Sequence, residues 1–263
     1  MEINGTTVLL TGANGGIGLA IARELKARGA NLIITGRRPD ALEPVAAELG
    51  ARVILADLSD RDQVNGLVAE AGRVDVLVAN AALPSSGELL DYTAEQIDRA
   101  LDVNLRAPIM LSRQLAPAMV EAGRGHIVLI GSISGKAASA ASSLYNATKF
   151  GLRGFALALR EDLYRSGVGV SIVQPGFVRD AGMFADTGSP VPGGFRTVSP
   201  EQVARATLDA VTRNRAETNV APLEMRMLSA VAGQFPGFSA RVQRRTLKEG
   251  EMDQFLAAQK SKR

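Results

Sequence analysis

The stretch TTVLLTGANGGIGLAIARELKARG, residues 6–29, decides the fold. Residues 6–12 form a short apolar, β-branched run that suits a strand, and residues 17–29 carry a helical pattern. Between them, TGANGGIG (11–18) is dense in glycine. Gly12, Gly16 and Gly18 remove side chains where a backbone must turn sharply and approach a pyrophosphate. A helix that begins there adds unpaired N–H groups and the positive end of its dipole. A glycine cluster alone is compatible with an ordinary tight turn. Set between strand and helix at the head of a βαβ unit, it points to nucleotide binding.

The same alternation continues outward from this unit. NLIITG (31–36) precedes PDALEPVAAELG (39–50), RVILAD (52–57) precedes RDQVNGLVAEAG (61–72), and VDVLVAN (74–80) closes the first half. HIVLIGS (126–132), a helix around 144–166, VGVSIVQPG (168–176), a helix around 199–213 and a weak strand near ETNVAP (217–222) follow. The strands are continuous apolar runs, the pattern of strands covered on both faces by helices. Short β/α alternation predicts an α/β fold with a doubly wound parallel sheet and right-handed crossovers. Ligands in such sheets sit beyond the carboxyl ends of the strands. The longest irregular stretch, 176–198, is rich in Gly and Pro, as functional lids are.

Composition removes several classes of function. The chain has no cysteine and one histidine, His126, so thiolate chemistry, cysteine-bound zinc and a Ser-His-Asp triad are disfavoured, and no metal site is expected. His126 begins a strand, away from its carboxyl end, and reads as structural. A net charge of +3 and 4% aromatic residues give no basis for a nucleic-acid partner. MEINGTTVLL passes into an apolar run without a basic leader, and no stretch reaches the ~18 apolar residues of a membrane span. A soluble, cytoplasmic, single-domain protein is expected over 1–263.

Several further motifs fall just after the strands. TGANGGIG (11–18), ADL (56–58, with Asp57 and Leu58), ANAA (79–82), DVNL (102–105), GSISG (131–135), YNATK (145–149) and Pro175-Gly176 occur in this order. Together they resemble the short-chain dehydrogenase/reductase family over roughly residues 5–180, which implies a Rossmann-type sheet and a nicotinamide cofactor. The resemblance implies cofactor contacts from Gly12, Asn14, Gly15, Gly16, Ile17 and Gly18, from Asp57 and Leu58 beside the adenine, and from Asn80, Ala81, Pro175, Gly176 and Val178. Two positions depart from the family's usual NNAG, Ala79 and Ala82, and predict a locally altered turn with the site retained. Asp180 stands where the family often has a threonine that contacts the nicotinamide amide.

Cofactor choice follows from charge. In this fold a carboxylate about 20 residues past the glycine loop binds the ribose 2′-OH of NAD, and an arginine accommodates the 2′-phosphate of NADP. Here Gly36 takes the acidic place and Arg37 and Arg38 follow. A guanidinium pairs with a phosphate that a carboxylate would repel. NADP(H) is therefore expected over NAD(H), although two arginines before Pro39 also suit a solvated helix start.

Tyr145 and Lys149 lie four apart and share one helix face. At ~5 Å and an effective dielectric of ~20 a lysine cation favours the phenolate by about 3 kcal/mol, roughly two pKa units before desolvation is counted. An isolated YxxxK is usually an ordinary structural pair. The resemblance implies more: Tyr145 as the acid/base, Lys149 as its modulator and the holder of the nicotinamide ribose, Ser132 as hydrogen-bond partner of the reacting oxygen, and Asn104 as the holder of a water linking Lys149 to solvent. Ser134 is a rival to Ser132, but the family's spacing of thirteen residues from serine to tyrosine favours Ser132.

The family's substrate pocket maps here to KAASAAS (136–142) and FVRDAGMF (177–184), whose alanines, Phe177, Met183 and Phe184 suit an apolar carbonyl or secondary alcohol. The last residues, about 222–263, fit the family least. PLEMRMLSAVAGQFPGF (222–238) is apolar and ARVQRRTLK (240–248) basic. They read as a helical, partly basic extension that covers the domain or a subunit contact, or as a surface helix that touches lipid or shapes access for a lipophilic substrate. The resemblance also implies a homodimer or homotetramer through helices around 93–121 and 144–166. Binding NADP(H) without turnover, as a redox-responsive regulator or scaffold, is the competing reading.

Overall fold

The computed structural model of the protein describes residues 1–180, 185 and 195–246. Seven strands, β1 (Thr7–Thr11), β2 (Asn31–Gly36), β3 (Arg52–Leu55), β4 (Val76–Ala79), β5 (Gly125–Ile130), β6 (Val168–Pro175) and β7 (Glu217–Val220), form one sheet in the order β3-β2-β1-β4-β5-β6-β7. Every pairing is parallel. The chain winds outward from β1 to β3, then returns and winds the other way from β4 to β7. The reversal between β1 and β4 opens a crevice at their carboxyl ends, where this class of sheet binds ligands.

The continuous apolar runs are explained by two cores, one on each face. Val8 and Leu10 of β1 enter the core built with α1 (Gly16–Ala27), α2 (Pro39–Leu49) and α7 (Pro200–Thr212). Leu9, between them, enters the opposite core with α3 (Arg61–Ala71), α5 (Ala107–Glu121) and α6 (Ser143–Asp162). β5 divides likewise, Val128 and Ile130 to the first core and Ile127 and Leu129 to the second. Each such side chain stabilises the fold by about 1.5–3 kcal/mol.

Local signals set the helix starts. Asp60 accepts from the N–H groups of Asp62 and Gln63 at the head of α3, and Ser199 with Gln202 forms a capping box at α7, where Pro200 takes the first helical position. The region around 93–121 is not one continuous α-helix. α4 (Ala94–Leu101) opens on a Thr93–Gln96 capping box, and Asp102–Arg106 is then wound as a π-helix before α5 begins. Pro108 has no N–H, so no α-helical bond can reach the carbonyl of Asn104 four residues back. The C-terminal segment forms α8 (Leu223–Gln234) and α9 (Pro236–Thr246). No described helix is long and apolar enough to cross a membrane.

His126 lies buried at the amino end of β5, where its Nε2 is 2.8 Å from Ser171 Oγ. Burial first, then the positive N-terminus and Arg160, pull its pKa down to about 3. Its folded pKa is thus below the unfolded value near 6.5. The associated stability is present above about pH 6.5 and is lost as pH falls toward 3. Urea unfolding should show wild type losing about 1.4 kcal/mol per pH unit below about pH 6 relative to His126→Gln. Parallel pH profiles would contradict this.

Candidate active site

The turn after β1 is fixed by close approaches that only glycine permits. Gly12 has φ +69°, and a Cβ there would lie 2.9 Å from Ala81 Cα. A Cβ on Gly18 would lie 2.1 Å from the Gly12 carbonyl oxygen, so the start of α1 folds directly onto the turn. Asn80 ties the end of β4 to the same turn. Its Nδ2 donates to the carbonyls of Thr11 and Gly12 at 3.0 and 3.1 Å, while the N–H groups of Asn80 and Ala81 donate to Thr11 Oγ1. Ala79 is simply the buried last residue of β4. No side chain caps the N-terminus of α1.

At the far end of this crevice Gly36, Arg37, Arg38, Asp57 and Leu58 come together. Asp57 accepts from the N–H and hydroxyl of Ser59 at 2.9 and 2.7 Å and lies 3.6 Å from Arg37. Burial pushes its carboxyl up, but the Ser59 hydrogen bonds and the charges of Arg37 and Arg99 outweigh it and hold the group below its ordinary range. Arg37 and Arg38 are both exposed.

Ser132, Tyr145 and Lys149 meet where β5 ends. Ser132 lies beside the Tyr145 phenol and favours its ionised form, and the Ser132 Oγ accepts from the Ser134 N–H at 3.1 Å. Ser134 also lines the cleft, and its carbonyl accepts from Asn146 Nδ2, while Ser132 is the serine that acts on the phenol. Lys149 is only 3% exposed; its Nζ donates to the Ile130 carbonyl at 3.1 Å and lies 5.7 Å from the centre of the Tyr145 ring. Burial lowers the Lys149 amine to about 8. Burial also raises the Tyr145 phenol, and the Ser132 hydrogen bond only partly offsets it. The lowering expected from Lys149 is reckoned before desolvation; with burial counted, the phenol lies above its ordinary value in the protein alone. Burial disfavours the charged form of each group.

Asn104 is the one predicted site residue that does not line the cleft. It is buried behind it, its Oδ1 accepting from the Leu83 N–H at 2.6 Å and its Nδ2 donating to the Leu83 carbonyl at 2.9 Å. Its side chain is thus committed to holding the segment after β4. All other predicted cofactor and catalytic positions line a single cleft of about 1490 Å³. Among the described residues no group of three or more His, Asp or Glu could hold a metal.

Residues 6–191 match the family described as short chain dehydrogenase. The chain belongs to the short-chain dehydrogenase/reductase family. A ketoacyl reductase, HetN, of Nostoc sp. is 36% identical over 227 residues, covering 83% of this chain and 79% of the relative. A solved short chain dehydrogenase/reductase family protein superposes with a TM-score of 0.78 at 33% identity, over 84% of this chain and 97% of that one. A short-chain dehydrogenase from Sphingobium yanoikuyae, solved in complex with NADPH, superposes with a TM-score of 0.75 at 29% identity, over 93% and 97%.

The residues of this short-chain dehydrogenase/reductase fit a dinucleotide. The cradle at Gly12 and Gly18 admits no side chain, the head of α1 has no side-chain cap, and two exposed arginines stand at the far end. Sequence reasoning missed the residues that hold the cleft in shape. Asn146, beside Tyr145, donates to the carbonyls of Ser134 and Ala137 at 2.7 and 3.0 Å and so pins the segment after Ser132 to α6. Lys136 pairs with Glu217 at the head of β7, which Arg153 of α6 also holds at 2.9 Å. Nothing short of the fold brings residues 136, 153 and 217 together. Ala137, Ala138 and Phe177 line the cleft as expected, while Met183 and Phe184 lie outside the described residues. Met225, Leu228, Val231 and Phe238 of the C-terminal segment form a further wall of the cleft. Gly18→Ala should lower dinucleotide affinity at least about tenfold in a fluorescence titration, because the turn must open to admit the methyl group; unchanged affinity would contradict the geometry.

Proposed function

We propose that the protein is an NADP(H)-dependent oxidoreductase acting between the carbonyl and the secondary alcohol of a largely apolar substrate, with Tyr145 as the acid/base. The observation that carries this reading is the position of Ser132, Tyr145 and Lys149 between the glycine cradle and an apolar wall in one cleft. Its volume, about 1490 Å³, exceeds the ~300–1,000 Å³ of a site for one small ligand and leaves room for a substrate beside a dinucleotide. A nicotinamide bound there supplies hydride and, when oxidised, a positive ring.

The chain's own residues then have separate tasks. The Tyr145 hydroxyl holds the proton exchanged at the substrate oxygen, and the Ser132 hydroxyl orients that oxygen. Lys149, ionising near 8, sits close enough to neutrality to pass protons and carry charge beside a ribose. The missing α-helical bond at the Asn104 carbonyl supports a water-holding role for its main chain, since its side chain is committed to Leu83. Apolar side chains from 137–141, Phe177 and α8 exclude water. The ketoacyl reductase among the relatives supports a carbonyl on an acyl-like chain. A homodimer or homotetramer through α4, α5 and α6 belongs to the same reading, supported by Phe150, an exposed aromatic on α6.

Arg37 and Arg38 support the preference for NADP(H). Wild type should bind NADPH at least about tenfold more tightly than NADH, the value of one charge-assisted contact, and Arg37→Asp should erase the difference. Equal binding of both by wild type would remove this part of the reading. Tyr145→Phe should lower turnover by about a hundredfold or more in NADPH consumption across a panel of ketones, aldehydes and 3-oxoacyl thioesters, with NADPH affinity within about twofold. Retained turnover would refute the role given to Tyr145.

A further inference from the structure

The exposed apolar surface of the chain is gathered in one place. Of thirteen large apolar side chains exposed among the described residues, seven fall between Leu223 and Val242. α8 buries Met225, Ser229 and Ala232 against the domain, and a Cβ on Gly176 would lie 2.8 Å from Met225 Sδ. The same helix turns Leu223, Met227, Leu228 and Val231 outward, and Phe235 and Phe238 follow with 63% and 61% exposure. A patch of this kind on a soluble domain marks an interaction site.

Its charge is equally concentrated. Arg226, Arg241, Arg244 and Arg245 are exposed, and Glu224, the one acidic residue in 223–246, is engaged by Arg196 at 3.0 and 2.9 Å. Four arginines against one glutamate equal the +3 of the entire chain, which leaves the remainder without net charge. On α9, Arg241 and Arg245 lie three and seven residues after Phe238, so they share its face. Apolar side chains edged by arginine are the composition of an interfacial helix that meets anionic headgroups. A symmetric contact with a second copy would instead set arginines against arginines.

The patch also continues into the active site. Leu228, Val231 and Phe238, exposed on the hairpin, line the cleft as well. We propose that the α8–α9 hairpin docks on an anionic lipid bilayer and turns the mouth of the cleft toward it, so that a lipophilic carbonyl substrate enters from the membrane. The delivery half of this proposal rests on the oxidoreductase reading above; the docking half does not.

The test is flotation of the full chain with vesicles of phosphatidylcholine alone or with about one third phosphatidylglycerol, beside NADPH turnover of a water-soluble ketone in the same samples. Wild type should float with the anionic vesicles only and be released by 0.5 M salt, about the point at which headgroup attraction is screened. Two exposed sets outside the cleft lining test the two forces separately. Met227→Ser with Phe235→Ser, and Arg241→Gln with Arg244→Gln and Arg245→Gln, should each lower the bound fraction at least about tenfold. Both should leave turnover of the soluble ketone unchanged. Failure to float at every composition, flotation equal for wild type and variants, or a wild-type dimer that the Met227/Phe235 variant dissociates in the absence of vesicle binding would overturn the docking. Flotation without turnover of any carbonyl would uphold the docking and overturn the oxidoreductase reading.

Discussion

The site depends on an amine and a phenol set one helical turn apart where water is scarce. Lys149 is almost wholly inaccessible and is held by the Ile130 carbonyl, at the very end of β5. In that setting burial works against both charges, lowering the amine to about 8 and raising the phenol. The chain thus holds a protonated phenol beside an amine brought within reach of neutral pH. An exposed pair would interact only weakly, through high dielectric.

The sheet is what makes this placement possible. Parallel strands send all their carboxyl ends to one edge, and the reversal between β1 and β4 opens the crevice there. The glycine turn, Asn80, Ser132 and Pro175-Gly176 each follow a strand and therefore arrive together. Their mutual distances are then set by close packing. Gly18 folds α1 onto the turn, and a Cβ on Gly135 would lie 2.7 Å from the Lys149 carbonyl, which brings the serine segment against α6. Lys136, Glu217 and Arg153 join that segment to the last strand and to α6 from the outside.

The fold was legible because its signals are local and periodic: apolar runs that need two cores, glycines between a strand and a helix, and caps such as Asp60 and Ser199. So was the identity of most cleft residues, since strand ends can be counted along the sequence. What stayed hidden depends on distant partners. Asn146 reads as one more helix residue until the loop it holds lies beside it. The roles of Lys136 and Glu217 exist only across 81 residues of chain. The net direction of the Tyr145 shift could not be read from spacing, which gives the Lys149 charge but not the burial around it. Asn104 was assigned by motif, yet its side chain proves to brace Leu83 from within a π-helical turn.

The central claim is that burial, not the lysine, sets the resting state of the phenol, and that added positive charge releases its proton. The direct measurement is the ultraviolet difference titration of wild type against Tyr145→Phe, which isolates one of the three tyrosines, with and without saturating NADP⁺. The account predicts ionisation above 10 for the protein alone and a fall of about two units or more with the oxidised dinucleotide bound. A phenolate already formed below pH 9 in the protein alone, or a midpoint that does not move on binding, would contradict it.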